Sequence, residues 1–244
     1  MTADSLLNAL ENIAENYHLR DEYPDKFIEQ ACQAHICKWL KRCIEKGDDV
    51  LELGYGDGYT TEQLKSVGKS YTVVEGSKKL FDKLKLNHPE VNSEFSLFEQ
   101  FIPSKKFDKV LALHVFEHVN DPNQILEKTK NWMSKNSELI IVVPNSESIH
   151  RRLALRMGLI KSTKELSERD KLVGHRRVYD FQSLKRLVLS SGLNIIEENG
   201  FFLKAIPNSM MVNFPKNIIN ALNEISDEMP PSLAANIAVR ARLA

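Results

Sequence analysis

Val50-Leu51-Glu52-Leu53-Gly54-Tyr55-Gly56-Asp57-Gly58-Tyr59-Thr60-Thr61 is the stretch on which the fold turns. Its first four residues are aliphatic apart from one acid, as in a short strand buried on both faces, and a helix-compatible segment starts at Thr61. Glycine at every second position between them lets the chain reverse tightly without a Cβ penalty. A strand that turns this way into a helix is where an open α/β sheet holds its ligand.

Residues 71–75, 93–98, 107–113 and 138–143 read as four further strands. Helical segments follow Thr61, run over 78–86, and run from Asp121-Pro122, a cap and a first-turn proline, to about Met133. This alternation predicts a mostly parallel, doubly wound sheet. Residues 4–16 and the segment from Pro24 to about Lys46 each carry apolar residues on one face, so these N-terminal helices cover the sheet or lid the site. Regularity lapses from Asn145 to about Asp180. Beyond it, 181–190 reads as a helix stopped by Gly192, and 193–197 and 201–204 as two β-like runs. Residues 216–226 are helical, and 235–241 form a last strand that suits an antiparallel addition.

The 244 residues suffice for one sizeable α/β domain. We expect a single domain over 1–244, with a helical cover at 1–46, a ligand-binding core at 47–146, an insertion at 147–180 and the end of the sheet at 181–244. Lysine plus arginine equals aspartate plus glutamate, at 33 each, so no net field argues for nucleic acid or an anionic membrane as partner. Cys32, Cys37 and Cys43 share one helix at spacings that match neither a zinc knuckle nor a C-x-x-C motif, and they read as buried thiols of a reducing compartment. With no long apolar run and no signal sequence, the expected location is cytoplasmic.

Gly54, Gly56 and Gly58 are one residue tighter than the dinucleotide fingerprint, and Glu52 and Asp57 bracket them. A pyrophosphate there would meet two carboxylates, at a cost on the order of a few kcal/mol per close pair. A cationic ligand fits better. S-adenosylmethionine carries an ammonium and a sulfonium, and a glycine backbone lets its methionine tail approach closely. Glu75 lies 17 residues after Gly58, at the tip of the second strand, where a carboxylate accepts both ribose hydroxyls. Glu99 or Gln100 would receive the adenine amino group, with Phe98 against the ring.

The order Glu52-Leu53-Gly54-Tyr55-Gly56-Asp57-Gly58, then Glu75-Gly76, then Phe98-Glu99, then Phe107-Asp108-Lys109-Val110 running into His114-Val115-Phe116-Glu117-His118-Val119-Asn120-Asp121-Pro122 resembles the class I S-adenosylmethionine-dependent methyltransferases. Within that class it is similar to the small-molecule "methyltransferase domain" type. The resemblance covers 47–146 firmly and the last helices and strands more loosely. It implies a Rossmann-like seven-stranded sheet with an antiparallel last strand, and S-adenosyl-L-methionine held by Glu52, Gly54, Tyr55, Gly56, Gly58, Glu75, Gly76, Phe98, Glu99, Gln100 and His114. Tyr55 stands where the family has a small residue or cysteine more often.

Methyl transfer to a hydroxyl needs alignment and a base. His118 and His114 follow the fourth strand, at the family's active-site mouth, and imidazole titrates near neutrality. His118 is the expected base, and His114 the residue nearer the cofactor. His114, Glu117, His118 and Asp121 have metal-ligand atom types, but the segment reads as a strand-to-loop passage and no metal is expected. Between 150 and 177 stand nine Lys or Arg against three acids. With histidines at both ends, this insertion suggests an anionic acceptor bound by His150, Arg151, Arg152, His175, Arg176 and Arg177. A sugar, nucleotide sugar or similar metabolite methylated on oxygen is the leading reading, favoured by the absence of a wide hydrophobic lid. N-methylation of an amino sugar, or a cofactor-binding module without chemistry, are the alternatives.

Overall fold

The computed structural model describes residues 3–20 and 24–243. Residues 1–2, 21–23 and 244, which belong to the expected segments 1–46 and 181–244, lie outside the described ones. In chain order the elements are α1 (Ala3–Ile13), α2 (Lys26–Cys43), β1 (Asp49–Leu53), α3 (Tyr59–Leu64), β2 (Ser70–Glu75), α4 (Lys78–Asn87), β3 (Asn92–Phe95), β4 (Phe107–Leu113), α5 (Pro122–Trp132), β5 (Met133–Pro144), α6 (Ile149–Arg156), α7 (Glu168–Leu172), α8 (Phe181–Ser190), β6 (Leu193–Phe201), α9 (Asn208–Met211), α10 (Lys216–Glu224) and β7 (Asn236–Leu243). The strands form one seven-stranded sheet in the order β3-β2-β1-β4-β5-β7-β6. Pairings from β3 across to β5 are parallel, and β7 runs against both β5 and β6.

The central strands are buried on both faces, since helices cover the sheet on each side. One core layer joins β1 and β2 to α2, where Ile28, Ile36, Trp39 and Leu40 point inward together with all three cysteines. The other packs Phe107, Val110, Phe116, Ile125, Trp132 and Leu184 beneath α5 and α8. Cys32, Cys37 and Cys43 are free and buried, and burial pushes the Cys32 and Cys37 thiols up to about 12. Asp121 caps α5, its carboxylate accepting from the Asn123 and Gln124 amides.

Four segments differ from expectation. β3 stops at Phe95, so 96–98, expected within that strand, lie in the loop that follows it. Residues 193–204 hold one strand that ends at Phe201, because Phe202 takes a positive φ of 71° and turns the chain out of the sheet. The irregular stretch 145–180 contains α6 and α7, too short for a periodic signal to emerge. β5 begins at Met133 rather than Glu138, with a register shift against β4.

Glu138, 1% exposed in the middle of the sheet, accepts from Arg240, Arg242 and Lys109. Burial alone would raise its pKa, but the hydrogen bonds from Arg242, Arg240 and Lys109 win and hold it down at about 2. A depressed carboxylate adds stability above its ordinary value and loses it as pH falls through the folded one. Acid unfolding followed by circular dichroism should therefore show wild type losing stability between about pH 4.5 and 2. Glu138→Gln should lose part of that pH dependence, the rest coming from Asp49, Asp170 and Asp180, whose pKa values are lowered too, and superimposable acid profiles would refute the assignment.

Candidate active site

β1 delivers its chain into the glycine turn with Gly54, Gly56 and Gly58 at φ of 82°, 56° and 87°. A Cβ at Gly58 would lie 2.3 Å from the Tyr55 hydroxyl, whereas one at Gly54 or Gly56 would meet nothing nearer than Phe98 at 3.9 Å and His18 at 3.7 Å. The first two glycines thus leave room for a ligand along the backbone, and the third makes room for Tyr55. The Tyr55 side chain is itself buried beneath the turn, edge-on to His88, so only its backbone can serve a ligand. The departure from a small residue is accommodated on the core side.

Two acids brace the turn. Glu52 Oε2 accepts from Thr61 Oγ1 at 2.6 Å and Tyr71 OH at 3.0 Å, tying β1 to α3 and β2. Burial pushes its carboxyl up to about 8. Glu52→Ala strands two buried hydroxyls and should cost about 1–3 kcal/mol of stability, whereas Glu52→Gln keeps an acceptor and should cost less than about 1. Chemical denaturation of both variants checks this, and equal losses would contradict it. Glu75, 5% exposed at the tip of β2, accepts from the Tyr55 amide at 2.8 Å through Oε2 and from the Ser77 amide at 2.6 Å through Oε1. Burial raises its pKa against those backbone bonds. Gly76 follows in tight packing, where a Cβ would sit 3.0 Å from Leu10.

Above the turn lies a cavity of about 1060 Å³ that extends to the insertion. α1 closes one side: Glu11 accepts from Ser77 Oγ at 3.2 Å and from the Lys78 amide, which pins the helix over the start of α4. Leu6, Leu10, Ile13, Leu153, Met157 and Met210 contribute to the lining, so the cavity has the apolar lid that the sequence reading found absent. The signal was the stripe on α1, whose position over the cavity depends on contacts with α4 that no local pattern reveals. Glu52, Gly54, Tyr55, Gly56, Glu75, Gly76, Phe98 and Glu99 all line it. Gly58 lies behind Tyr55, and Gln100 is exposed on the turn that follows Phe98, outside the lining.

At the end of β4, His114 has a positive φ of 56° and its amide donates to Val142 O at 2.8 Å. An imidazole in this sparsely populated backbone region marks a position held by its surroundings. His114 Nδ1 is 3.2 Å from Glu117 Oε1, and Glu117 is fully buried with its second oxygen unpartnered among the described residues. Burial would raise the Glu117 pKa, but the hydrogen bond from His114 and then the His114 charge bring it down. His118 packs edge-on against His175, centroids 4.8 Å apart, and His175 Nδ1 pairs with Asp170 Oδ1 at 2.9 Å. Burial drives the His118 pKa down to about 4, which leaves a neutral imidazole facing the cavity at neutral pH. Glu117, His118 and His175 also offer ligand atoms within 4.8 Å of one another, the grouping among the described residues that could gather one cation.

The basic insertion is largely internal wiring. Arg177 donates to the carbonyls of Phe116, Val119 and Asn120, and Arg176 Nε to His118 O at 2.9 Å, so both clamp the histidine turn. Arg151 binds the Thr163 and Glu165 carbonyls and Asp170, while Arg152 pairs with Glu147 on the surface. Chain without regular structure leaves carbonyls in need of donors, and guanidinium forks supply them. His150, Arg151, His175 and Arg176 reach the cavity lining, whereas Arg152 and Arg177 do not. The excess of cations is therefore no measure of what the acceptor carries. Glu117, His18, Arg169, Asp170 and Lys204 belong to the lining or brace it and were not singled out from sequence as site residues. Glu117 stood inside the quoted histidine run, and the others come from segments remote in the chain.

The cavity suits S-adenosylmethionine: an open glycine backbone, a buried carboxylate at the β2 tip, and Asp57 and Glu99 around a ligand that carries positive charge. Comparison with known proteins agrees. A family model described as "Methyltransferase domain" matches residues 26–198. Two ubiquinone biosynthesis O-methyltransferases align locally, one from Pelagibacter ubique (27% identical over 104 residues) and one from Bradyrhizobium diazoefficiens (28% over 100). These alignments cover 41% and 39% of this chain and 43% and 40% of the relatives, so the chain matches less than half the length of either. Among solved structures, the fold is shared with magnesium protoporphyrin IX methyltransferase from Synechocystis PCC 6803 (TM-score 0.66, 12% identity, 100% of both chains). It is shared likewise with a possible histamine N-methyltransferase from Thermotoga maritima (TM-score 0.65, 15% identity, 98% of this chain and 100% of that one). Sheet order, glycine turn and a family match over more than half of the residues together make the chain a member of the S-adenosylmethionine-dependent methyltransferases of the methyltransferase-domain family.

Proposed function

We propose that the protein methylates a hydroxyl oxygen of a small, mostly apolar acceptor, and that His118 receives the hydroxyl proton. The observation that carries this reading is a neutral, cavity-facing imidazole beside the buried Glu117 carboxylate, in the same cavity as the glycine turn. Bound S-adenosylmethionine supplies an electrophilic methyl group on a sulfonium centre. The chain's own residues do the rest. Glu75 accepts the ribose hydroxyls, the backbone of 54–56 lies along the methionine tail, and Phe98 and Glu99 face the adenine. Glu117 orients His114 at the strand tip and stabilises charge that develops on His118 as it takes the proton. α1 excludes water above the reacting centre.

Oxygen is favoured over nitrogen by the O-methyltransferase names of the two local relatives and by the paired imidazoles, since an amine acceptor has less need of a base. The apolar lid removes the ground on which a sugar was preferred, so a ring or chain bearing a hydroxyl replaces it. On this reading residues 1–244 act as one domain. Incubation with methyl-labelled cofactor and a panel of phenols, hydroxy acids, nucleotide sugars and amines tests it. Labelled methyl ethers are expected, and labelled N-methyl products alone would overturn the oxygen assignment.

A further inference from the structure

The cavity lining contains a cation that nothing in the fold neutralises directly. Lys204 follows β6, lines the cavity and is half-buried; among the described residues its ammonium has neither an ion pair nor a hydrogen bond. Burial lowers its pKa, the Arg169 charge lowers it further, and Glu29 opposes both. The nearby acids are already engaged: Arg169 Nη1 binds Asp25 at 2.6 Å, its Nη2 binds Glu29, and Tyr17 OH donates to Glu29 at 3.0 Å. Their charge balances Lys204 at a distance, yet its three N–H bonds still lack acceptors.

Other polar groups of this cavity are stranded as well. His150, whose amide donates to Lys204 O at 3.1 Å, has a buried Nδ1 without a partner, and burial keeps its imidazole neutral with a pKa near 3. Asn208 is 9% exposed with Oδ1 unpartnered, and Gln33 Oε1 on α2 is in the same condition. A buried polar group without a partner costs about 1–3 kcal/mol, more for a charged one. Several such groups lining one cavity describe a surface completed by a ligand.

We infer that Lys204, with His150 and Asn208, is the subsite for a carboxylate on the acceptor. This deepens the proposed function and rests on it. A single ammonium in a region already holding Asp25 and Glu29 matches a monoanion, whereas a phosphate dianion would face those two acids with one unpaired cation to hold it. The neutral His150 ring donates one hydrogen to the carboxylate, and the Asn208 and Gln33 carbonyls accept from hydroxyls on the ligand. The apolar part of the lining, which includes Leu6, Leu10, Ile13, Met157 and Met210, takes the body of the acceptor. The acceptor class is therefore a small hydroxy acid, bound by its carboxylate at Lys204 and presenting its hydroxyl at His118.

The test is calorimetry with two probes that differ by one carboxylate, 4-hydroxyphenylacetate and 4-methylphenol, each titrated into protein saturated with S-adenosylhomocysteine. Wild type should bind the acid about ten- to a hundredfold more tightly. Lys204→Met should abolish that preference while S-adenosylhomocysteine still binds with unchanged affinity, which shows a folded variant. Equal affinities in wild type, a preference that survives in Lys204→Met, no binding of the acid, or competition by inorganic phosphate stronger than by acetate would each overturn the subsite. Failure of the proposed function looks different: N-methyl products, or turnover indifferent to His118.

Discussion

If Glu75 holds the ribose as proposed, Glu75→Ala should weaken binding of S-adenosylhomocysteine by at least about a hundredfold, since two charge-assisted bonds of about 1.5–3 kcal/mol each would be lost. The effect has a second source within the chain itself. Both Glu75 oxygens accept backbone amides, one from Tyr55 in the glycine turn and one from Ser77 at the start of α4. Removing the carboxylate strands those amides and loosens the turn against β2. Glu75→Gln is not a silent control, since its amide nitrogen must face one of the two N–H donors. Calorimetry on both variants decides the matter. Affinity within threefold of wild type would show that the ribose is held elsewhere.

His118→Ala should lower kcat about 10²- to 10⁴-fold, the usual span for removal of a general base. Affinity for S-adenosylhomocysteine should change little. His118 lies at the junction of three structural facts: a turn clamped by Arg176 and Arg177, a buried Glu117 beside it, and an edge-on partner in His175. Burial keeps it neutral, and the Glu117 charge beside it offsets part of the burial cost when it takes up a proton. His114 is the internal comparison, because Glu117 orients it from the same turn. A large loss in His114→Ala with little in His118→Ala would exchange their roles, and near-wild-type turnover in both would remove base catalysis from the account.

Much of the sheet was legible in the chain because its strands are locally decisive. Val50 to Leu53 and Tyr71 to Glu75 are apolar runs ending in turn signals, and the structure has strands there to within a residue at each end. Phe181–Ser190 matched the helix expected from its periodicity and from Gly192, whose φ of 82° fits a helix stop. The places of Glu52 and Glu75 near the ends of their strands were legible for the same reason. What the chain concealed depends on distance. The arginines of 151–177 look alike in sequence whether they face a ligand or a carbonyl, and only the path of the insertion commits Arg151 and Arg177 to backbone. Lys204 stood in a run that read as β-like. Its place beside His150 arises because β6 ends at Phe201, where the left-handed Phe202 redirects the chain. The apolar lid needed α1 to be pinned by Glu11 to α4, a contact between residues 67 apart.

The central claim is that one cavity brings the cofactor's methyl group to an oxygen next to His118. Carbon-13 NMR of the product made from methyl-labelled S-adenosylmethionine and a hydroxy acid acceptor tests it most directly, with wild type and His118→Ala run side by side. The account predicts a methoxy carbon signal from wild type and its near absence from the variant in the same time. An N-methyl signal, or a methoxy signal of equal strength from both proteins, would contradict it.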